Sequence, residues 1–188
     1  AHTIDLARFL VGEAAGDIER VSGHLQTFVD ERPVYADDGE TVEDHRPVTV
    51  DDAYTAQAEF ENGAVGSFEA SRFATGHKND HTIEIHGSEG SLKFSLERLN
   101  ELEVLTGGNR GYETVLVTEE TDPYVDHWWP PGHVIGWEHT FVHENYEFLS
   151  AAADGEAFAP SFADAYDVQV VLDAIERADE TGQWVAID

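Results

Sequence analysis

The chain has 188 residues, enough for one domain of ordinary size. Its 39 acidic residues against 10 basic ones leave a formal charge of -29, which excludes nucleic acid and anionic membrane surfaces as partners, because phosphates need clustered Lys and Arg. Cysteine is absent, which excludes disulfides and thiolate metal sites, and no apolar run approaches the roughly 18 residues of a membrane span.

Residues 3–11 predict a helix, with Ile4, Leu6, Ala7, Leu10 and Val11 as its apolar stripe and Gly12 as the residue that ends it. Residues 21–29 predict a strand, and the polar, proline-containing stretch 30–46 a loop. Tyr54, Ala56, Ala58 and Phe60 alternate with Thr55, Gln57 and Glu59 ahead of Asn62-Gly63, a dipeptide favoured in tight hairpin turns. Residues 64–73 return as the second strand. Ile83 and Ile85, then Leu92, Phe94 and Leu96, alternate with polar residues on either side of Gly87-Ser88-Glu89-Gly90, and residues 102–105 and 114–117 extend the meander. Residues 118–136 are irregular and rich in Trp, Pro and His. Residues 137–153 predict a helix with Trp137, Phe141, Phe148, Leu149 and Ala152 near one face, ended by Gly155. Residues 162–181 predict another, carrying Val168, Val171, Leu172 and Ile175 and ended by Gly182, before a short strand at 184–187. A run of strands with helices segregated at both ends makes an α+β fold: an open, mostly antiparallel β-sheet with helices packed on one face.

His2 and Asp5, three residues apart at the start of the first helix, share one face. A neutral imidazole there can accept a hydroxyl proton while hydride leaves the same carbon; alternatively, Asp5 stabilises the helix start and His2 is a surface residue. Arg72 stands beside Ser71, Thr75, Lys78 and Asn79, where it binds sugar hydroxyls or a carboxylate through charge-assisted bonds, or else pairs with one of the many acidic side chains. Trp128-Trp129-Pro130-Pro131-Gly132-His133 puts two indoles in a loop, to cover a sugar ring or to fill a core or interface. His139 and His143 have an i, i+4 spacing that can bind metal, but Glu138 and Glu144 do not complete H-E-x-x-H and ten histidines make chance pairs common. No metal site is expected. No G-x-G-x-x-G, G-x-x-x-x-G-K-[ST] or G-x-S-x-G motif occurs, so the chain carries no nucleotide-binding loop of its own.

Four stretches resemble, in order and spacing, the C-terminal domain of the Gfo/Idh/MocA family of NAD(P)-dependent oxidoreductases. They are His2-Thr3-Ile4-Asp5-Leu6-Ala7-Arg8-Phe9-Leu10-Val11-Gly12, Phe60-Glu61-Asn62-Gly63-Ala64-Val65-Gly66-Ser67-Phe68-Glu69-Ala70-Ser71-Arg72, Ile85-His86-Gly87-Ser88-Glu89-Gly90-Ser91-Leu92 and Val171-Leu172-Asp173-Ala174-Ile175. The segment from Trp128 to His133, followed by Gly136-Trp137-Glu138-His139-Thr140-Phe141, is similar to a sugar-oxidising, levoglucosan dehydrogenase-like subgroup.

The resemblance implies that residues 1–188 are a single substrate-binding and oligomerisation domain, of the glyceraldehyde-3-phosphate dehydrogenase-like C-terminal type, with the N-terminal Rossmann domain absent from this chain. The sheet face away from the helices is then available for oligomerisation into a dimer or tetramer. NAD or NADP, bound mainly by the other domain, exchanges hydride with a secondary alcohol or ketone of a sugar or cyclitol. The family's H-x-x-D histidine matches His2 and its acidic partner Asp5, as catalytic residues. Arg72, Trp129, His133 and His139 are the expected substrate contacts, and the chain alone is expected to be inactive. A non-enzymatic assembly or carbohydrate-binding module on the same fold, or a histidine-based metal protein, are the alternatives.

Two lysines, Lys78 and Lys93, against so many carboxylates fit a salt-accumulating halophile's cytoplasm. In molar salt the Debye length falls to about 3 Å and surface repulsion is screened. Methionine is absent even at position 1, so the chain is expected to come from within a longer gene product or to have been processed.

Overall fold

The computed structural model describes residues 1–187, and the chain divides into two compact units, Ala1–Thr75 with Pro160–Asp188, and Gly76–Ala159. In the first unit, helix α1 (His2–Ala15) runs on past Gly12. Glu13, Ala14 and Ala15 are good helix formers, and Ala15 is buried, so the helix continues until Gly16, at φ 76°, turns the chain. Strand β1 (Ile18–Gln26) begins three residues earlier than its expected start, because Ile18 belongs to the core.

Strands β4 (Ala53–Phe60) and β5 (Val65–Ser71), and β10 (Val185–Ala186) at the end of the chain, complete an antiparallel sheet in the order β10-β1-β4-β5. At the Asn62-Gly63 turn Gly63 adopts φ 86°, and the Asn62 side chain accepts from the Ala64 amide at 2.8 Å. The alternation of β4 has the expected result: Ala56, Ala58 and Phe60 are buried, whereas Thr55 and Gln57 are exposed. Register sets Val21 opposite Ala58 and Gly23 opposite Ala56, so the apolar residues of neighbouring strands share a face. Helix α3 (Phe162–Thr181) buries Val168, Val171, Ala174, Ile175 and Ala178, and with Ile4 of α1 these residues join that face in one core. The approach at Gly23 is close, since a Cβ there would lie 2.7 Å from Ile175 Cγ2. Arg8, four-fifths buried, ties α1 to α3 through Asp167 at 3.0 Å and the Asp164 carbonyl, and also reaches Asp17 at 3.2 Å.

The stretch expected to be a loop at 30–46 is instead a two-stranded hairpin, β2 (Glu31–Tyr35) and β3 (Val42–Pro47). Its turn is made by a side chain. The Asp38 carboxylate accepts from the Thr41 hydroxyl at 2.6 Å and from the amides of Thr41 and Glu40, bonds that hold its pKa down to about 2, the hydroxyl foremost.

The second unit contains β6 (Thr82–His86), β7 (Gly90–Ser95), β8 (Glu101–Thr106) and β9 (Glu113–Leu116), an antiparallel sheet in sequential order, and helix α2 (Trp137–Asp154). Antiparallel strands and packed helices are what the pattern predicts, and the strands divide between two four-stranded sheets and the hairpin. Cross-strand register gathers Ile83, Ile85, Leu92, Phe94, Leu102, Val104 and Val115 on one face. Glu84, Lys93 and Glu103 stand in line on the other. Among the described residues no helix is long and apolar enough to cross a membrane.

Candidate functional site

In the first unit, His2 is the first residue of α1, with its ring exposed, and Asp5 follows one turn on. Both therefore lie in the first turn of the helix, where the Asp5 N–H makes the first helical bond, to the Ala1 carbonyl at 3.0 Å. Thr3 beside them shares a hydrogen bond with the phenol of Tyr54 on β4, and burial raises the Tyr54 pKa. The start of α1 is thereby set over the start of β4.

The same end of the sheet is organised by Asp52, which is buried. Its carboxylate accepts from the Phe28 amide at 2.9 Å, the Val29 amide at 3.1 Å and the Arg32 guanidinium at 3.3 Å. These bonds, the Phe28 amide first, hold its pKa below the ordinary carboxylate value. The Asp52 carbonyl accepts from the Arg72 amide at 2.9 Å, so the backbone of Arg72 is anchored at this end while its side chain is exposed. Phe28 and Phe73 meet edge to face at 5.5 Å beside it. His2, Asp5 and Arg72 thus belong to one unit, and α1, β4 and the end of β5 bring their backbones to one end of its sheet.

Trp129, His133 and His139 belong to the second unit. The loop between β9 and α2 is pinned at two places. Asn100 makes a two-way bond with Ile135, its amide donating to the carbonyl at 2.9 Å and its oxygen accepting from the N–H at 3.0 Å, and the buried Thr118 hydroxyl accepts from Gly132 N–H at 3.1 Å. Within that loop the two indoles part company. Trp128 Nε1–H donates to His143 Nε2 at 2.7 Å, and its ring meets His139 edge-on at 4.4 Å, whereas Trp129 is 62% exposed. Tyr124 stacks on His143 at 4.4 Å and donates its hydroxyl to Glu147 at 2.9 Å, a bond that raises its pKa. Tyr124 itself sits at φ 67°, a left-handed conformation that costs a bulky residue about 1–3 kcal/mol.

Burial, then the nearby His139 and His127, lowers the pKa of His143, and accepting from Trp128 requires its Nε2 to be unprotonated. His139 accepts the Gly136 amide on Nδ1 at 2.9 Å, which leaves its Nε2 to donate when the ring is neutral. His133 Nδ1 donates to the Pro130 carbonyl at 2.8 Å, which leaves its Nε2 free to accept. The i, i+4 histidine pair thus uses His139 Nδ1 and His143 Nε2 to hold the helix start and the loop.

The model of the oxidoreductase family C-terminal alpha/beta domain, Gfo/Idh/MocA type, matches residues 1–187. The chain belongs to the Gfo/Idh/MocA oxidoreductase family. Levoglucosan dehydrogenase of Pseudarthrobacter phenanthrenivorans is 39% identical over 198 aligned positions, which take in 99% of this chain and 50% of that enzyme. An oxidoreductase domain protein from Kribbella flavida superposes with a TM-score of 0.89 at 44% identity, over 100% of this chain and 48% of its own. A levoglucosan dehydrogenase solved with NADH and L-sorbose gives 0.88 at 40%, over 100% and 49%. This Gfo/Idh/MocA chain thus spans about half the length of the relatives it matches.

Sequence reasoning on this Gfo/Idh/MocA domain missed Tyr54 and Asp52. Tyr54 was legible only as one step of an apolar alternation, and its hydroxyl gave no separate signal. Asp52 is one of 39 acidic residues, and only its burial at the end of β1 distinguishes it.

Proposed function

We propose that this chain is the substrate-binding and assembly half of an NAD(P)-dependent dehydrogenase acting on a secondary alcohol or ketone of a sugar or cyclitol. The observation that carries this reading is the match of residues 1–187 to the family's C-terminal domain, joined to near 40% identity with levoglucosan dehydrogenase, which has been solved with NADH and levoglucosan. A nicotinamide supplies the hydride acceptor or donor. The chain's lack of a glycine-rich phosphate loop fits a cofactor held mainly by the half of the relatives that it does not span.

His2 accepts the hydroxyl proton, and Asp5 on the same helical face orients the imidazole. Arg72 donates to sugar oxygens and Trp129 offers an indole face to the ring. His133 accepts through the Nε2 that its Pro130 bond does not use, and His139, its side chain 14% exposed against Trp128, donates through the Nε2 that its Gly136 bond does not use. The apolar face of the second sheet is the assembly surface for another copy of the protein. None of its seven residues is buried in this chain, and Leu92 and Val115 are exposed, which supports that role. The charge of -29 supports a high-salt intracellular setting.

The test is a screen of the full-length protein in concentrated salt, with sugars and cyclitols offered alongside NAD or NADP and reduced cofactor followed by absorbance. Turnover of a polyhydroxylated secondary alcohol is expected. Sugar binding without turnover would replace this reading with a carbohydrate-binding module.

A further inference from the structure

Three side chains not used above converge in the second unit, where the segment after Gly76 meets the short 3-10 turn Leu96–Arg98. His77 Nδ1 lies 3.2 Å from Asp80 Oδ2 and 3.5 Å from Glu97 Oε2, and the nearest donor atoms of all three residues are within 4.8 Å of one another. We propose that His77, Asp80 and Glu97 form a binding site for a first-row divalent cation such as Zn2+.

The spacing has a direct meaning. Around an ion with ligands about 2.0–2.1 Å away, two donors at neighbouring tetrahedral corners stand about 3.3–3.4 Å apart. Both of the imidazole-to-carboxylate separations fall close to that edge. The carboxylates are also held in place. Asp80 Oδ1 accepts from the Ser95 hydroxyl at 2.8 Å, and Thr82 adds a bond to Oδ2 at 3.0 Å. Glu97 Oε1 accepts from the Lys78 amide at 2.7 Å and lies 3.4 Å from that of Asn79. The oxygens turned towards His77 are thus oriented from behind, as outer-sphere partners orient metal ligands.

At neutral pH both carboxylates are anionic. A neutral imidazole between two carboxylates leaves a local charge of about -2, which a dication neutralises. An imidazolium bridge neutralises only half of it. The nitrogen donor favours Zn2+ and its neighbours in the series over Mg2+ and Ca2+, which prefer oxygen alone. Asp80 is largely buried while His77 and Glu97 are exposed, so the ion would keep an outer position for water. It would clip the segment after Gly76 to the Leu96–Arg98 turn.

The experiment is calorimetric titration of the full-length protein, first stripped with a chelator, with Zn2+ alone and with Mg2+ alone at neutral pH. One saturable Zn2+ site per chain is expected. His77→Ala should abolish it with the circular dichroism spectrum unchanged, since the ring is exposed. Ser95→Ala, which removes no ligand, should weaken it by about 10–100-fold. Mg2+ should not occupy it. Absence of a saturable Zn2+ site, or a site equally strong in His77→Ala, would overturn the proposal and leave an imidazolium bridge.

Discussion

Helices α3 and α2 are of similar length and are both amphipathic, yet α3 buries Val168, Val171, Ala174, Ile175 and Ala178 while α2 buries no residue. Trp137, Phe141, Phe148 and Leu149 of α2 are all about half exposed or more. The two sheets repeat the contrast: Ala56, Ala58, Phe60 and Phe68 of the first are buried, and no strand residue of the second is. An apolar stripe makes a segment helical or extended, but burial requires a partner surface. The first unit contains its partner. The second presents large apolar faces of the kind that protein interfaces cover, in a chain about half as long as its relatives.

Core truncation should divide the two helices most sharply. Ile175→Ala in α3 should cost about 2–5 kcal/mol, measured by urea unfolding. Leu149→Ala in α2 should change the stability of the 188-residue chain by no more than about 0.5 kcal/mol. An equal loss in the two would erase the comparison. A larger loss for Leu149→Ala in the full-length protein than in this chain would sharpen it.

The next largest effect is expected at Gly23. A methyl group there meets Ile175 Cγ2 at 2.7 Å, so Gly23→Ala should push α3 off the sheet at a cost of about 1–3 kcal/mol. Thermal unfolding would register it, and a neutral result would mean that α3 is less tightly seated than described.

A smaller contribution should appear in acid. The folded-state pKa of Asp52 is depressed, so at low pH the unfolded chain takes up the proton first. Its stabilisation is present above the ordinary value of 3.8 and is lost as pH falls through the lower folded value. Asp52→Asn should flatten that part of the pH–stability profile, and an unchanged acid slope would remove Asp52 from this role.

The alternating strands β4 to β7 and helix α3 were legible because their polar and apolar residues separate cleanly by face. The β2–β3 hairpin was not. Its side chains are nearly all exposed, so no burial pattern marked it, and its turn depends on one carboxylate, that of Asp38. Helix α2 was legible as a helix, but the exposure of its apolar face was not, because periodicity does not say whether a partner is present. In the candidate site, the H-x-x-D spacing marked His2 and Asp5. The support beneath them, from Thr3 to Tyr54, joins residues some fifty positions apart, which only the register of the fold brings together. His77, Asp80 and Glu97 escaped notice for a similar reason, since Glu97 reaches the other two from across the β6–β7 hairpin.

The most direct measurement is the turnover number of His2→Ala in the full-length protein, at saturating alcohol and cofactor. Loss of a proton acceptor predicts a fall of about 10²–10⁴-fold with the fold intact, because the ring is exposed and packs no core. Turnover equal to that of the parent would contradict the assignment of His2 and, with it, the reading of this end of α1 as the place where the substrate is held.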